Sequence, residues 1–554
     1  MKRTLLTTII IFLAGIPLAF AQSNPRYLVL LKDKAGSPFP IQNPSAYLSE
    51  RAIARRTKQG IAVTSRDLPV NPAYVTGIRG TGAQVIYTSR WFNAALVEAS
   101  AAQLDAIKKL PYYSGIELNL PVANLSGPTS GVQRVTAPKE KLAATEELDY
   151  GNMNAQLALM DVPAIHQQGF QGEGMLVAIM DNGFRNGDQL GFLESAREEK
   201  RIVDTHDFVA REANVYNDGS HGLNVLSIIA AYEPAKMIGG AFKASFALYR
   251  TENDAAESPY EEITWLLAAE RADSLGVDVI NTSLGYSQFD GEFGNASYNY
   301  TYEDLNGNTA IISRAARFAT RTGMLVVNSA GNEGNKPWKY VSPPADVDSV
   351  LTVGAVTYDR SYSASSSVGP TANGVQKPDV AAVGVGAVVG TTTGSVGTSN
   401  GTSFSSPLIA GLATILWQAY PKLTAQQLIQ VLKKSGHQAD KPDNLLGYGV
   451  PSALKAQQII GQEYTPLGTE KSSLQAVVLS PNPANDHITL SIPSPLVGKK
   501  ATLKLVTVNG IIQQHSQENL QSRHSIPTGQ LSAGLYVVQI QVEGKERSLK
   551  FIKR

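Results

Sequence analysis

Apolar and polar positions follow three different patterns along the chain, and each pattern predicts a differently built region. From about Tyr27 to about Leu118, apolar strands and amphipathic helices alternate in the order β-α-β-β-α-β. This order is typical of the ferredoxin-like arrangement, a small α+β unit. The predicted strands are YLVLLK, AQVIYTS, WFNAALVEA and YSGIEL, and the predicted helices are PSAYLSERAIARRTK and AAQLDAIKKL.

After Gly151 the strands are apolar along their whole length and alternate with helices. Examples are the strands MLVAIM, ASFALYR, VDVINTSLG, MLVVNSAG and VLTVGAV and the helices YEEITWLLAAERADSLG and TAIISRAARFATRTG, with further helices from His221 and from Ser403. Apolar strands joined by helices predict an α/β fold with a doubly wound parallel sheet covered on both faces. In such folds ligands bind at the carboxyl ends of the strands, so the residues that follow the strands are the candidates for chemistry.

Beyond about Tyr464 the helices stop, and the short alternating strands HITLSI, ATLKLVTV and GLYVVQIQV predict a small all-β sandwich. The segment PVANLSGPTSGVQRVTAPKEKLAATEELDYG lacks periodicity, which predicts an exposed linker open to proteolysis. With 554 residues the chain is too long for one core, so several domains are expected. The predicted boundaries are 22–121 for the ferredoxin-like domain, 122–150 for the linker, 151–463 for the doubly wound domain and 464–554 for the β-sandwich.

The first residues, MKRTLLTTIIIFLAGIPLAFAQ, combine the basic Lys2 and Arg3 with an apolar run and a small-x-small cleavage pattern. They predict a secretory signal peptide over residues 1–21. A membrane anchor fits less well because the apolar run is short and contains Pro17. No later segment is long and apolar enough to span a bilayer, so no transmembrane segment is expected in the mature chain.

The amino-acid composition excludes several classes of function. The chain has no Cys, so neither disulfides nor thiol catalysis contribute, although an exported protein could form disulfides. The 48 Lys and Arg residues nearly balance the 47 Asp and Glu residues, which leaves a formal net charge of +1. Such a balanced chain has no bulk field that would attract nucleic acid.

Four polar side chains stand at predicted strand ends or helix starts. Asp181 ends MLVAIM, and Asn332 follows MLVVNSAG. His221 and Ser403 each stand at the start of an apolar helix. Singly, each residue fits a turn or a helix cap. Together they supply an orienting acid, a base, an oxyanion donor and a nucleophile.

The segments AIMDNG, SHGLNV, NTSLG, NSAGNEG, KPDVAAVG and NGTSFSSPLIAG resemble, in this order, six blocks of the subtilisin family of serine proteases, across about Gly151 to about Gly461. The order acid, base, nucleophile is that of subtilisin. The resemblance implies that Asp181, His221 and Ser403 form a catalytic triad and that Asn332 supplies the oxyanion side chain. It also implies a substrate cleft lined by Ser283, Leu284, Gly285, Ser329, Ala330 and Gly331.

The resemblance implies a secreted serine endopeptidase that is synthesised as a zymogen and hydrolyses peptide bonds through an acyl-enzyme. The first domain resembles the family's inhibitory propeptide. The last domain, through LSPNPANDHITL, GLYVVQI and LKFIKR, resembles the sorting domain of the type IX secretion system of certain Gram-negative bacteria. The expected partners are protein or peptide substrates, the chain's own propeptide as inhibitor, and secretion machinery. The expected location is outside the outer membrane, either extracellular or attached to the cell surface.

The resemblance implies no cofactor for catalysis, and no metal site is predicted. Where some family members have an Asn-rich calcium loop, this chain has YEPAKMIG, which is short and poor in oxygen ligands. Tightly held calcium is therefore not expected there, and structural calcium elsewhere stays open. Another departure is Asn224, at a position where the family often has a second His.

Two alternatives compete with the protease. In one, the chain is a catalytically inactive subtilisin-like surface binding protein; the presence of Asp181, His221, Asn332 and Ser403 argues against it. In the other, Gly397 to Gly401 is the G-x-S-x-G elbow of an α/β-hydrolase, and Ser399 is the nucleophile. That elbow needs an apolar strand directly before it, whereas GTTTGSVGTSNG predicts a loop. Ser403 is therefore the favoured nucleophile.

Overall fold

A computed structural model describes residues 24–123, 148–464, 474, 477–507, 511–543 and 545–554. These residues belong to two compact units that divide between Ile459 and Ile460. The predicted signal peptide, 1–21, lies outside the described residues, as does most of the predicted linker, 122–150. Within the described part of the chain, no helix is both long and apolar enough to cross a membrane.

The N-terminal domain is an antiparallel sheet with the strand order β2-β3-β1-β4. Its elements are β1 (Arg26–Leu31), α1 (Glu50–Lys58), α2 (Pro72–Arg79), β2 (Gln84–Ser89), β3 (Ala94–Glu98), α3 (Ala101–Lys108) and β4 (Tyr113–Ile116). The order matches the predicted ferredoxin-like arrangement. Helix α2 was not predicted; Asn71 caps it by accepting the Ala73 N–H at 2.9 Å, and Pro72 occupies its first turn.

The central domain contains a sheet of seven parallel strands. Its strands are β5 (Leu176–Asp181), β6 (Ile202–Asp207), β9 (Ser245–Arg250), β10 (Val279–Thr282), β11 (Leu325–Ser329), β12 (Leu351–Val356) and β13 (Val380–Val383). Two small antiparallel pairs accompany it, β7 (Tyr232–Glu233) with β8 (Met237–Ile238) and β14 (Ala387–Gly390) with β15 (Val396–Ser399). The predicted α/β fold with a parallel sheet is thus confirmed, and its edge strands β6 and β13 are additions to the predicted set.

The order of the strands identifies where a ligand would bind. It runs β13-β12-β11-β10-β5-β9-β6, so after β5 the chain builds one half of the sheet and then crosses to the other half at β10. The carboxyl end of β5 is therefore a topological switch point, the usual ligand position in open α/β sheets. Asp181 is the last residue of β5.

The helices of the central domain are α4 (Asn154–Ala158), α5 (Val162–Gln167), α6 (Glu194–Glu198), α7 (His221–Ala230), α8 (Pro259–Leu275), α9 (Ile311–Arg321), α10 (Thr402–Ala419), α11 (Ala425–Ser435) and α12 (Ala453–Glu463). Helices α8 and α9 share an apolar core with Leu176, Ala178 and Met180, which alternate along β5 and point to one face. Helices α7 and α10 pack on each other and on the other face of the sheet.

The N-terminal domain packs against the outer side of α8 and α9. Its residues Leu28, Trp91 and Leu96 belong to the same buried cluster as Trp265 of α8 and Ile312 of α9. The two helices are therefore apolar toward the sheet and toward the N-terminal domain, which explains why α8 is buried along most of its length.

The C-terminal unit, described by itself, consists of two antiparallel sheets with the strand orders β16-β17-β20 and β19-β18-β21-β22. Its strands are β16 (Val478–Ser480), β17 (His487–Ser491), β18 (Lys500–Thr507), β19 (Ile512–Asn519), β20 (Arg523–Pro527), β21 (Gly534–Val542) and β22 (Lys545–Lys553). Leu490 of one sheet and Leu503 and Val538 of the other belong to one buried core. Alternate inward-facing residues thus build the predicted all-β unit.

Candidate active site

The first candidate pair joins the switch point to the start of α7. Asp181 is buried at the end of β5, and its Oδ1 accepts a hydrogen bond from His221 Nδ1 at 2.8 Å. The same oxygen accepts the backbone N–H of Asn182 at 2.8 Å. A carboxylate bonded to Nδ1 leaves Nε2 of His221 as the acceptor, which is the atom that a general base uses.

The surroundings of His221 favour its protonated form. Burial lowers the pKa of the imidazole, but the charge and the hydrogen bond of Asp181 outweigh burial and, with the charge of Asp254, raise the pKa above its ordinary value. The side chain still has 32% of its surface exposed, so a reacting molecule can reach it. His221 can therefore take up a proton and keep it as an imidazolium stabilised by Asp181.

Ser403 lies in the first turn of α10 and is 8% exposed. Its hydroxyl donates a hydrogen bond to the backbone carbonyl of Ser283 at 3.1 Å, and Ser283 Oγ donates in return to the Ser403 carbonyl at 2.9 Å. The ring of the next residue, Phe404, lies 5.5 Å from the His221 ring, between centroids. The fold therefore brings His221 and the start of α10 together, while Ser403 forms no hydrogen bond with His221 within the described part of the chain.

Gly401 makes the turn before α10 with φ +136°, a conformation that residues with a Cβ rarely adopt. A Cβ at this position would lie 3.3 Å from the amide of Asn332. The backbone N–H of Thr402 donates to Asn332 Oδ1 at 2.9 Å, and Thr402 Oγ1 lies 3.2 Å from the same atom. Because Oδ1 faces Thr402, the Nδ2 donors of the exposed Asn332 remain available to a ligand.

The predicted cleft residues follow the strands on either side of the site. Ser283 and Leu284 come directly after β10, and Ser283 contacts Ser403 as described. Gly285 lies close to Ser342, where a Cβ would approach the Ser342 Cβ at 3.0 Å. In the other predicted set, Ser329 is the last residue of β11, and Ala330 and Gly331 follow it. Ser329 and Ala330 are buried. The Gly331 N–H donates to Thr402 Oγ1 at 3.1 Å. Their contact with substrate stays a prediction.

The local structure in front of Ser399 differs from the prediction. The segment before it is not a loop, because Val396–Ser399 forms β15, paired with Ala387–Gly390. The predicted loop was wrong because the Gly residues around Val396 and Thr398 interrupt the strand pattern, whereas backbone pairing with β14 holds the segment extended. This strand belongs to a two-stranded hairpin and not to the central parallel sheet, as an α/β-hydrolase elbow would require.

The acidic segment that follows β9 was not among the predicted site residues. Asp254 Oδ1 accepts a hydrogen bond from Asn182 Nδ2 at 2.8 Å, and its charge acts on His221. The nearby Glu252 has a buried Oε1 without a partner; burial first, and then the charge of Asp181, raises its pKa well above the ordinary value. The signal was present in TENDAAESPYEE, which contains five acids in twelve residues. Among the described residues, no group of His, Asp and Glu is arranged to hold a metal ion.

The three regions of the chain match three family models. Residues 172–449 match the model described as "Subtilase family", residues 26–134 match "Peptidase S8 propeptide domain, Bacteroidota", and residues 479–554 match "Secretion system C-terminal sorting domain". These matches confirm the resemblances inferred for the central, first and last domains.

Single proteins show the same similarity. The chain is 30% identical to subtilisin NAT of Bacillus subtilis subsp. natto over 276 residues, which are 49% of this chain and 63% of that protein. It is 30% identical to the subtilisin of Bacillus pumilus over 277 residues, 49% of this chain and 87% of that protein. A crystal structure of MycP1 from Mycobacterium smegmatis is 23% identical, with a TM-score of 0.44, over 59% of this chain and 89% of that one.

Proposed function

Because the chain belongs to the subtilase family, we propose that it is a secreted serine endopeptidase, synthesised as a zymogen, that hydrolyses peptide bonds through an acyl-enzyme. The observation that carries the proposal is the 2.8 Å hydrogen bond from His221 Nδ1 to Asp181 Oδ1, at the switch point of the sheet and beside the first turn of α10.

In the proposed mechanism Ser403 Oγ attacks the carbonyl carbon of the scissile bond. Its hydroxyl leaves the Ser283 carbonyl and gives its proton to Nε2 of His221, since catalytic hydrogen bonds tighten only when substrate is bound. Asp181 fixes the tautomer of His221 and stabilises the imidazolium. His221 then gives the proton to the leaving amine, and water releases the acyl group by the same steps in reverse.

The oxyanion of the tetrahedral intermediate is proposed to accept hydrogen bonds from Asn332 Nδ2 and from the backbone N–H of Ser403. Thr402 supports this role because it occupies Oδ1 of Asn332 and so leaves Nδ2 free to donate. The start of α10 adds a favourable field, because the unpaired N–H groups of a helix's first turn stabilise negative charge. Ser283, Leu284 and Gly285, with Ser329, Ala330 and Gly331, are proposed to bind the substrate backbone.

A propeptide domain is present in the first 134 residues, and we propose that it inhibits the central domain until it is cut away. Its contacts support tight association. The buried Asp273 of α8 pairs with Arg56 at 2.8 Å, with Arg90 at 2.5 Å and with Arg55, all from the N-terminal domain. Burial alone would raise the pKa of Asp273, but the guanidinium groups lower it to about 2. Cleavage is proposed within 122–150.

The C-terminal sorting domain indicates a protein that is secreted or held at the cell surface. We propose that this domain takes the chain past the outer membrane of a Gram-negative bacterium and contributes nothing to catalysis. Its own buried core supports an independently folded unit.

No cofactor is proposed for catalysis. A structural calcium ion is not proposed at YEPAKMIG, which is short and poor in oxygen ligands.

The proposed function can be tested by labelling the purified mature protein with a fluorophosphonate, which reacts with activated serines. Mass spectrometry of the peptides then identifies the modified residue. Label on Ser403 supports the protease, whereas label on Ser399 would indicate an esterase-like site. A protein that binds no label at all would be the inactive surface binding protein.

A further inference from the structure

A second site of a different kind lies between the N-terminal domain and the central domain. It is a cavity of about 780 Å³, which falls in the size range of small-molecule sites. One wall comes from the start of the N-terminal domain and from Arg90, Trp91 and Phe92, and the other comes from α9. Asp181, His221 and Ser403 are not among the lining residues, so this cavity is distinct from the candidate active site.

The cavity has an excess of positive charge. Its lining includes six cations, Lys34, Arg66, Arg90, Arg314, Arg317 and Arg321, but only two acids, Asp33 and Glu117. Arg314 pairs with Glu117 at 2.5 Å, and Arg317 pairs with Asp348 at 3.1 Å. Arg66 and Arg321 are exposed, and within the described residues neither has a carboxylate partner. Lys34 Nζ donates to backbone carbonyls and, among the described residues, pairs with no carboxylate. The uncompensated charge therefore belongs to Lys34 and to two guanidinium groups, one from each domain.

Buried donors in the same walls also lack partners. The indole N–H of Trp91 is buried without an acceptor among the described residues, and Trp91 is only 5% exposed. The Nε–H groups of Arg90 and Arg314 are likewise buried and unpaired. A buried donor without an acceptor costs free energy, so a shift of these side chains toward an anion in the cavity would be favoured. Among the described lining residues, Asn93 Oδ1 is the one buried acceptor without a partner, against three such donors.

Aromatic rings hold the cationic groups in place. Arg66 lies over the Phe318 ring at 4.8 Å, and Arg314 lies over the Phe92 ring at 4.7 Å. Phe92 and Phe318 are themselves in edge contact, with centroids 6.0 Å apart. The guanidinium groups of Arg66 and Arg314 are thus preorganised, which reduces the entropy lost when they bind an oxyanion.

We propose that this cavity binds a compact anion with two or more phosphate or sulfate groups, held by Arg66 and Arg321. Guanidinium groups match the geometry of such oxyanions and form charge-assisted hydrogen bonds with them. Because the walls come from both domains, the ligand binds the assembled precursor and stabilises the association of the two domains by mass action. The consequence, slower release of the propeptide, rests on the proposed zymogen function, whereas the binding itself does not.

The test is isothermal titration of the full-length Ser403→Ala chain, which lacks the proposed nucleophile and stays uncleaved. The probes are tripolyphosphate and a fully sulfated heparin disaccharide, each at constant ionic strength so that screening does not change. We expect saturable binding of one molecule per chain for at least one probe. The probe that binds more tightly distinguishes a phosphate ligand from a sulfated sugar, and no saturable binding of either overturns the proposal.

Two variants in the Ser403→Ala background assign the binding to this cavity. Arg66→Ala with Arg321→Ala should weaken binding about tenfold or more, since two charge-assisted contacts are lost. The matched control, Arg79→Ala with Lys422→Ala, removes the same charge from exposed residues outside the cavity and should bind as before. Equal affinity in the cavity and control variants would overturn the proposal.

Discussion

His221 Nδ1 donates a hydrogen bond to Asp181 Oδ1 at 2.8 Å, across 40 positions of the chain. The last residue of a buried strand and the first residue of a helix meet because the sheet reverses its order next to β5. This relationship ties the fold to the proposed chemistry, since it determines which nitrogen of His221 is free to accept a proton.

The first prediction concerns the pH profile of kcat/KM. His221 acts as a base only when it is neutral, so activity should fall as the pH drops through its pKa, which lies above the ordinary 6.5. The carboxylate of Asp254 raises that pKa, and Asp254→Asn should therefore move the acid limb of the profile to lower pH. Asp440→Asn, at an exposed acid that follows α11, is the control and should leave the limb in place. Identical profiles for all three proteins would contradict the effect of Asp254 on the pKa of His221.

The second prediction concerns Asn332. Asn332→Ala should lower kcat by about 10²–10³-fold and change KM little, because the amide acts mainly on the transition-state oxyanion. Steady-state kinetics on a peptide substrate measures both constants. A variant with an unaltered kcat would mean that Asn332 only orders the turn before Thr402.

The third prediction concerns the interface between the N-terminal domain and the central domain. In the uncleaved Ser403→Ala chain, Asp273→Asn should lower the unfolding free energy by about 3–5 kcal/mol, because buried guanidinium groups lose their counter-charge. The pKa of Asp273 falls from 3.8 to about 2 on folding, so its stabilisation is present above pH 3.8 and is lost as the pH falls toward 2.

The control for Asp273 is Asp105→Asn, at an exposed acid that pairs with Lys108. A surface pair of this kind contributes little, so the thermal unfolding temperature should hardly change. If Asp273→Asn unfolds at the same temperature as the control, the buried pairs do not hold the propeptide domain in place.

The fourth prediction concerns the C-terminal unit. A chain that stops near Thr465 should hydrolyse peptides normally but remain inside the cell envelope. Helix α12 ends at Glu463, and the strands beyond it bury their own core. Activity and location are followed together in the truncated and the full-length protein. An inactive, insoluble product would show instead that these strands complete the catalytic domain.

The periodicity of the sequence was enough to predict β5, α7 and α10, since long apolar strands and helices leave strong patterns. It did not predict β6, whose polar residues at the sheet edge break the pattern, or β15, which is held by pairing with β14. The strand-end rule located Asp181 and Asn332 without coordinates.

Contacts between distant segments could not be predicted in this way. The hydrogen bond from Ser403 to the Ser283 carbonyl joins residues 120 positions apart, and that from Asn182 to Asp254 joins residues 72 positions apart. Nor does a helical pattern reveal that Asp273 is buried, because charged residues on helices usually face solvent and its partners come from another domain.

The central claim is that Ser403 is the nucleophile of a peptidase, and comparison of Ser403→Ala with Ser399→Ala tests it most directly. Both substitutions remove one hydroxyl, the first at the start of α10 and the second at the end of β15. Peptide hydrolysis and self-processing are measured for each purified protein. We predict that Ser403→Ala abolishes both and that Ser399→Ala leaves both largely intact, whereas comparable losses in the two variants would contradict the account.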